Sequence, residues 1–191
     1  MIKAIIFDCF GVLVGKGIWR TYEVAGGNVD KDKAFLDDII YKECAGEIDE
    51  TTYNQAFADK LGLSVDAWLA IKNREEQPNL ELFDYIREGL KPQYKIGFLS
   101  NVNKGVIERL IPAELRELFD AEIRSAEAGF QKPDPRIYEL MLQKLAVSAE
   151  EAVFIDDHEE YLVGARSIGI STIQYTGFDD FRAELETLLA R

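Results

Sequence analysis

The pattern of hydrophobic positions changes once along the chain, from helical segments alone to helices that alternate with strands. The chain opens with Ile5-Ile6-Phe7, an apolar run without alternation that is typical of a strand buried on both faces of a parallel sheet. From residue 15 to 78 no strand-like run occurs, and the pattern predicts helices joined by polar turns. This segment therefore resembles an insertion into a larger fold.

Three helices are predicted within the insertion. The first spans Asp32 to Cys44, with apolar side chains on one face. A second begins near Ile48 to Tyr53, where an Asp or Thr is available as cap. Ser64 is the predicted cap of the third, and Pro78 lies at or beyond its end.

From Asn79 onward the pattern predicts an α/β fold. Predicted helices span Leu80 to Gly89, Lys104 to Leu110, Pro135 to Leu145, Glu160 to Ile168, and a stretch from Phe178 onward. Predicted strands span Tyr94 to Leu99, Ala121 to Ile123, Ala152 to Ile155, and Ser171 to Gln174. Such alternation implies right-handed crossovers and a parallel sheet with helices on both faces.

Polar residues follow several of the apolar runs, where open α/β sheets bind ligands. They are Asp8, Ser100 with Asn101, Lys132 in a turn with two prolines, and the pair Asp156-Asp157. Each has an ordinary structural explanation: a turn or cap for the acids and the serine, and an exposed position for the lysine. Their common placement favours one shared site. A divalent ion such as Mg²⁺ would also explain why three carboxylates gather there.

Charge and composition exclude several other classes of function. The 191 residues carry a formal net charge of -13, which would repel nucleic acid and anionic membranes. The first apolar run is too short for a signal peptide or a membrane span, so a cytoplasmic protein is expected. Cys9 and Cys44 suggest no disulfide framework, and His158, the single histidine, is expected at the surface. Neither a phosphate-binding loop nor a dinucleotide fingerprint is present.

The ordered set Asp8, Ser100, Lys132 and Asp156-Asp157 resembles the haloacid dehalogenase-like hydrolase superfamily. The resemblance covers nearly the whole chain. It implies a Rossmann-like core of three layers, formed by residues 1–14 and 79–191, and a small helical cap formed by residues 15–78. It also implies Mg²⁺-dependent chemistry on a small phosphorylated substrate through a covalent aspartyl intermediate, and leaves the oligomeric state unknown.

Residue roles follow from the same resemblance. Asp8 would be the nucleophile and a metal ligand, and the backbone carbonyl of Phe10 a second ligand. Ser100 and Asn101 would hold the transferring phosphoryl group, and Lys132 would neutralise charge. Asp157, supported by Asp156, would complete the metal site. These roles suit phosphoryl transfer, which depends chiefly on positioning and charge neutralisation.

Phe10 departs from the family pattern. Phosphatases of this superfamily usually have a second aspartate two residues after the nucleophile, which protonates the leaving alcohol and later activates water. A phenyl ring can do neither, so we expect an ordinary alkyl phosphate to turn over poorly. Three functions stay open: a Mg²⁺-dependent phosphatase, a 2-haloacid dehalogenase, whose relatives also have an aromatic residue at this position, and a catalytically impaired binding relative.

Overall fold

A computed structural model describes residues 1–44, 47–102 and 105–190. The chain divides into two compact units, one formed by Met1–Val14 with Pro78–Arg191 and the other by Gly15–Gln77. We call them the α/β unit and the helical unit. Among the residues described, the helices are too short or too polar to cross a bilayer.

The α/β unit is built on a five-stranded parallel sheet. Its strands are β1 (Ala4–Phe7), β2 (Lys95–Ser100), β3 (Ala121–Arg124), β4 (Ala152–Asp156) and β5 (Ser171–Gln174), in the spatial order β3-β2-β1-β4-β5. Strand β1 is central, because Ile5 pairs with Ile96 on one side and with Val153 on the other. The predicted fold class, a Rossmann-like three-layer α/β core, is confirmed.

Two apolar layers cover the faces of the sheet. Ile5 and Phe7 of β1 join one buried cluster with Phe83 and Phe181, whereas Ala4 and Ile6 join another with Met141. Since successive strand residues point to opposite faces, a short apolar run without alternation supplies both layers at once.

The predicted helices occur in the predicted order, and the described residues form three further α-helices that were not predicted, at Gly17–Val24, Ala113–Arg116 and Ser125–Ala128. The helical unit contains α1 (Gly17–Val24), α2 (Val29–Cys44), α3 (Glu50–Leu61) and α4 (Val65–Glu75). The α/β unit contains α5 (Leu80–Tyr85), a π-helical turn (Ile86–Leu90), α6 (Val106–Leu110), α7 (Ala113–Arg116), α8 (Ser125–Ala128), α9 (Pro135–Leu145), a 3₁₀ turn (Ala149–Glu151), α10 (Glu159–Arg166) and α11 (Phe178–Leu189). The start predicted at Lys104 lies outside the described residues.

The helical unit has an aromatic core of its own. The Phe57 and Trp68 rings stack at 4.8 Å between centroids, and Tyr22 and Tyr53 pack around Phe57. Ser64 caps α4 by accepting a hydrogen bond from the backbone N–H of Ala67, as the sequence predicted. The unit therefore buries its own apolar surface.

Candidate active site

Three carboxylates meet at the carboxyl edge of the sheet. Asp8 follows β1 directly, Asp156 ends β4, and Asp157 follows it. Because Phe7 pairs with Ile155, the register places these acids side by side. Each can offer an oxygen atom within 4.8 Å of the others. The structure thus brings together the three acids that the sequence singled out.

Lys132 lies among these acids and is 1% exposed. Its Nζ is 2.7 Å from Asp8 Oδ1 and 2.6 Å from Asp156 Oδ2. Burial lowers the pKa of this ammonium, but the attraction of Asp8 and Asp156 outweighs it, so the pKa lies above its ordinary value. Lys132 therefore stays charged. The ordinary expectation for a lysine in a turn, an exposed side chain, is wrong here.

Asn101 holds the Lys132 segment through a reciprocal pair of hydrogen bonds. Its Nδ2 donates to the Lys132 carbonyl at 3.0 Å, and the Lys132 N–H donates to its Oδ1 at 2.8 Å. The preceding residue, Ser100, ends β2 and is 1% exposed. The Asn101 side chain is thus engaged in fixing Lys132, a role that the sequence did not suggest.

Asp156 is fully buried, and both of its carboxylate oxygens accept hydrogen bonds. Oδ2 accepts from Lys132, and Oδ1 accepts from the backbone N–H of His158 at 2.8 Å. Burial raises the pKa of Asp156 to about 6, the Asp8 charge acts in the same direction, and Lys132 opposes both. The His158 side chain itself is 67% exposed, as predicted.

Gly11 is a site residue whose role the sequence did not reveal. It has φ +81°, and a Cβ placed there would lie 2.4 Å from Asp157 Oδ2 and 2.6 Å from its carboxyl carbon. The Asp157 carboxylate thus occupies the space that any other side chain would need. A glycine in a turn is a weak signal, because only the fold shows what approaches it.

The Phe10 side chain is partly buried and packs against the same apolar cluster as Phe7 and Phe98. Its neighbour Gly11 donates a backbone hydrogen bond to the Val14 carbonyl at 2.8 Å, which closes a tight turn after Asp8. The second position after Asp8 thus carries an apolar ring packed against the core, not an acid. The Phe10 carbonyl as a metal ligand stays a prediction.

Two aromatic rings that the sequence did not single out face Lys132. Its Nζ lies 4.7 Å from the ring centroid of Tyr161 and 5.3 Å from that of Phe154. Hydrophobic periodicity cannot distinguish an aromatic residue over an ammonium from one that packs in the core.

The donor set fits a hard divalent cation. Mg²⁺ prefers carboxylate oxygens together with water and substrate oxygens, and the three acids can supply such atoms from a cluster that Lys132 neutralises only in part. Like charges this close repel each other without a counterion, so a cation would relieve the cluster.

Known proteins resemble the whole chain. D-ribitol-5-phosphate phosphatase of Bacteroides thetaiotaomicron is 27% identical, and the match covers 99% of both chains. A Mycobacterium tuberculosis phosphatase is 27% identical over 88% of this chain and 85% of its own. A solved B. thetaiotaomicron enzyme of the haloacid dehalogenase family, in complex with magnesium and inorganic phosphate, has a TM-score of 0.65 at 24% identity, over 94% of this chain and 97% of that one.

The family model for haloacid dehalogenase-like hydrolases matches residues 2–169, a span that includes Lys132 and the three clustered acids. The family predicted from the ordered motifs is confirmed. This chain belongs to the haloacid dehalogenase-like hydrolases.

Proposed function

We propose that this hydrolase is a Mg²⁺-dependent phosphatase that acts on a small phosphorylated metabolite through a phosphoryl group carried by Asp8. The observation that carries the proposal is the buried Lys132 ammonium, held between Asp8 and Asp156. An ammonium in this position compensates charge on the nucleophile and on an incoming phosphoryl group. Two relatives matched over most of their length are named phosphatases, which supports this choice.

Asp8 attacks phosphorus in the first step, and the bond from phosphorus to the leaving oxygen breaks. Lys132 compensates the negative charge, and the Ser100 hydroxyl at the neighbouring strand end holds the phosphoryl group. Asn101 contributes by fixing the Lys132 backbone. Water then cleaves phospho-Asp8, which releases inorganic phosphate and restores the carboxylate.

Asp8, Asp157 and the Phe10 carbonyl would hold Mg²⁺, with Asp156 in support. When bound, the ion neutralises the carboxylates and the phosphoryl charge. Both Asp156 oxygens already accept hydrogen bonds, so its main contribution is to hold Lys132. The magnesium and phosphate complex of the structural relative supports this assignment by similarity of fold.

Phe10 replaces the usual acid and restricts the enzyme to leaving groups that depart without a proton. General acid catalysis is typically worth about 10²- to 10⁴-fold, so acyl and aryl phosphates are favoured over alkyl phosphates. The helical unit takes the role of a small cap, as its insertion between Val14 and Pro78 suggests.

A 2-haloacid dehalogenase is the second candidate, and Phe10 is the observation that favours it, because halide leaves without a proton. The cluster of three acids argues against it, since carbon-halogen displacement by Asp8 has no need of a metal site. A catalytically impaired binding relative would keep the fold and the cluster without turnover.

A panel of substrates separates the three functions. We expect turnover of p-nitrophenyl phosphate and an acyl phosphate with Mg²⁺, weak turnover of D-ribitol 5-phosphate, and none of 2-chloropropionate. A chelator should abolish the activity, and so should Asp8→Asn, because the amide is a poor nucleophile of nearly the same shape. The matched control is Asp66→Asn, at an exposed position in α4, which should keep wild-type rates. Chelator-resistant dehalogenation would contradict the proposal.

A further inference from the structure

We propose that Tyr161 is a positioning residue: its ring and that of Phe154 form an aromatic box that fixes the Lys132 ammonium between Asp8 and Asp156. The inference deepens the proposed function and rests on it for its catalytic consequence. The box itself is a property of the folded protein. It can therefore be tested without turnover.

Two carboxylates and two aromatic rings surround the Lys132 ammonium. The carboxylate oxygens lie at 2.7 Å on Asp8 and 2.6 Å on Asp156. The ring centroids of Tyr161 and Phe154, at 4.7 and 5.3 Å, lie within the range of cation-π attraction, about 6 Å. Such attraction strengthens when the cation is withdrawn from water, and Lys132 is 1% exposed.

The backbone of Tyr161 is anchored independently of its ring. Tyr161 lies in the first turn of α10, and its carbonyl accepts a hydrogen bond from the Tyr138 hydroxyl of α9 at 2.7 Å. Later in α10, Gly164 lets the helix approach the Pro133 segment, since a Cβ there would lie 2.7 Å from the Pro133 carbonyl oxygen. This close approach brings α10 beside the residue that follows Lys132.

Tyr161 forms the outer wall of the box. Phe154 is fully buried within β4, whereas Tyr161 is only partly buried at the start of α10. In this proposal, the partly exposed Tyr161 ring shields the ammonium from solvent. Without the ring, the Lys132 ammonium would exchange between the carboxylates and water. Asp8 would then lose an ion-pair partner at a fixed distance.

Kinetics of two substitutions test this role. Tyr161→Phe keeps the ring and should retain wild-type kcat within about twofold, whereas Tyr161→Leu should lower kcat roughly tenfold, the effect of losing one desolvated cation-π contact. KM should stay within about twofold, because Tyr161 positions Lys132 and does not bind substrate. Tyr41→Leu, on α2 and 66% exposed, is the control for loss of a tyrosine ring. A Leu variant with wild-type kcat would overturn the proposal.

Chemical labelling of Lys132 gives a second measurement that needs no substrate. Reductive methylation followed by peptide mass spectrometry should leave Lys132 nearly unlabelled in wild type and in Tyr161→Phe, and should label it several times faster in Tyr161→Leu. Thermal melts of each variant establish that it is folded under the labelling conditions. Equal labelling of wild type and Tyr161→Leu, or fast labelling of Tyr161→Phe, would refute the box. If wild type turns over no phosphate ester, the proposed function fails and labelling alone decides on the box.

Discussion

Under the proposed function, the side chain at position 10 decides which leaving groups Asp8 can displace. Phe10 is partly buried against an apolar cluster, so its ring stabilises the turn after β1. The same ring provides no proton for a departing alkoxide. An apolar side chain at position 10 therefore favours stability, whereas protonation of an alkoxide would need an acid at the same position.

Phe10→Asp should speed hydrolysis of D-ribitol 5-phosphate by up to about 10²- to 10⁴-fold, because a carboxyl group there can protonate the leaving alcohol. Hydrolysis of p-nitrophenyl phosphate should gain less, since its leaving group needs no proton. The substitution should also lower stability by about 1–3 kcal/mol, the cost of placing a polar group in a partly apolar position. Steady-state rates and thermal melts measure the two effects.

Phe10→Asn is the matched control for this substitution. It has the shape and polarity of the aspartate and should cost similar stability, but it cannot transfer a proton. A gain on the alkyl phosphate that is equal in both variants would show that the phenyl ring merely obstructs the site. A folded Phe10→Asp protein with no gain at all would contradict the leaving-group argument.

At the scale of elements, the turn after β1 and the end of β4 form one interlocking piece. Gly11, at φ +81°, leaves the space that the Asp157 carboxylate fills. A side chain at position 11 would need the space that this carboxylate occupies. The absence of a side chain there therefore leaves room for one candidate metal ligand, Asp157.

Gly11→Ala should displace Asp157 and reduce or abolish the stabilisation that Mg²⁺ provides. Gly105→Ala is the matched control, because Gly105 also has φ +81° but nothing lies within 4 Å of its would-be Cβ. Both substitutions should cost about 1–2 kcal/mol of backbone strain. Thermal melts with and without Mg²⁺ separate the strain from the displacement. Equal Mg²⁺ shifts in the two variants would contradict the interlock.

Two elements with strong sequence signals, α9 and β5, begin and end at the residues that the sequence predicted. The start of α9 follows from Asp134, which caps the helix, and from Pro135 at its first position, where a missing N–H costs nothing. The strand Ser171–Gln174 was also predicted with its exact ends. In these cases local sequence and tertiary packing favour the same conformation.

Elements and contacts that depend on tertiary structure were missed. Helix α1 begins after Lys16, which makes no side-chain capping bond, so the sequence contains no start signal. Helix α8, four residues from Ser125 to Ala128, is too short to have a hydrophobic period. The ring of Tyr161 over Lys132 joins residues from different elements, and no pattern within either element predicts such a contact.

At the scale of the whole molecule, the acidic charge and the site favour the same kind of ligand. The formal net charge of -13 attracts cations, and the cluster of Asp8, Asp156 and Asp157 could hold one. Binding to the folded state alone stabilises that state by mass action. Binding of the proposed Mg²⁺ should therefore be detectable as a change in global stability.

Mg²⁺ at about 100 times its Kd should add about 2.7 kcal/mol to the free energy of unfolding, a rise of roughly 5–10 °C in Tm for a chain of this size. Asp157→Ala should lose most of this rise, because a proposed ligand is removed. Asp66→Ala removes an equal charge from an exposed position of α4 and should keep it. Differential scanning calorimetry measures all three proteins. Equal shifts in the two variants would count against the proposed metal site.

The central position of β1 also has a kinetic consequence. Ala4 pairs with Lys95 on one side and with Ala152 on the other. Both partners of the first strand therefore come from segments that are distant in sequence. Pairings this remote in sequence close large loops and slow the search for the native topology. Asp8 is brought beside Asp156 only when β1 has paired with β4. Binding of the proposed Mg²⁺ should therefore follow this long-range pairing, and we expect it to appear later than the helical signal during refolding.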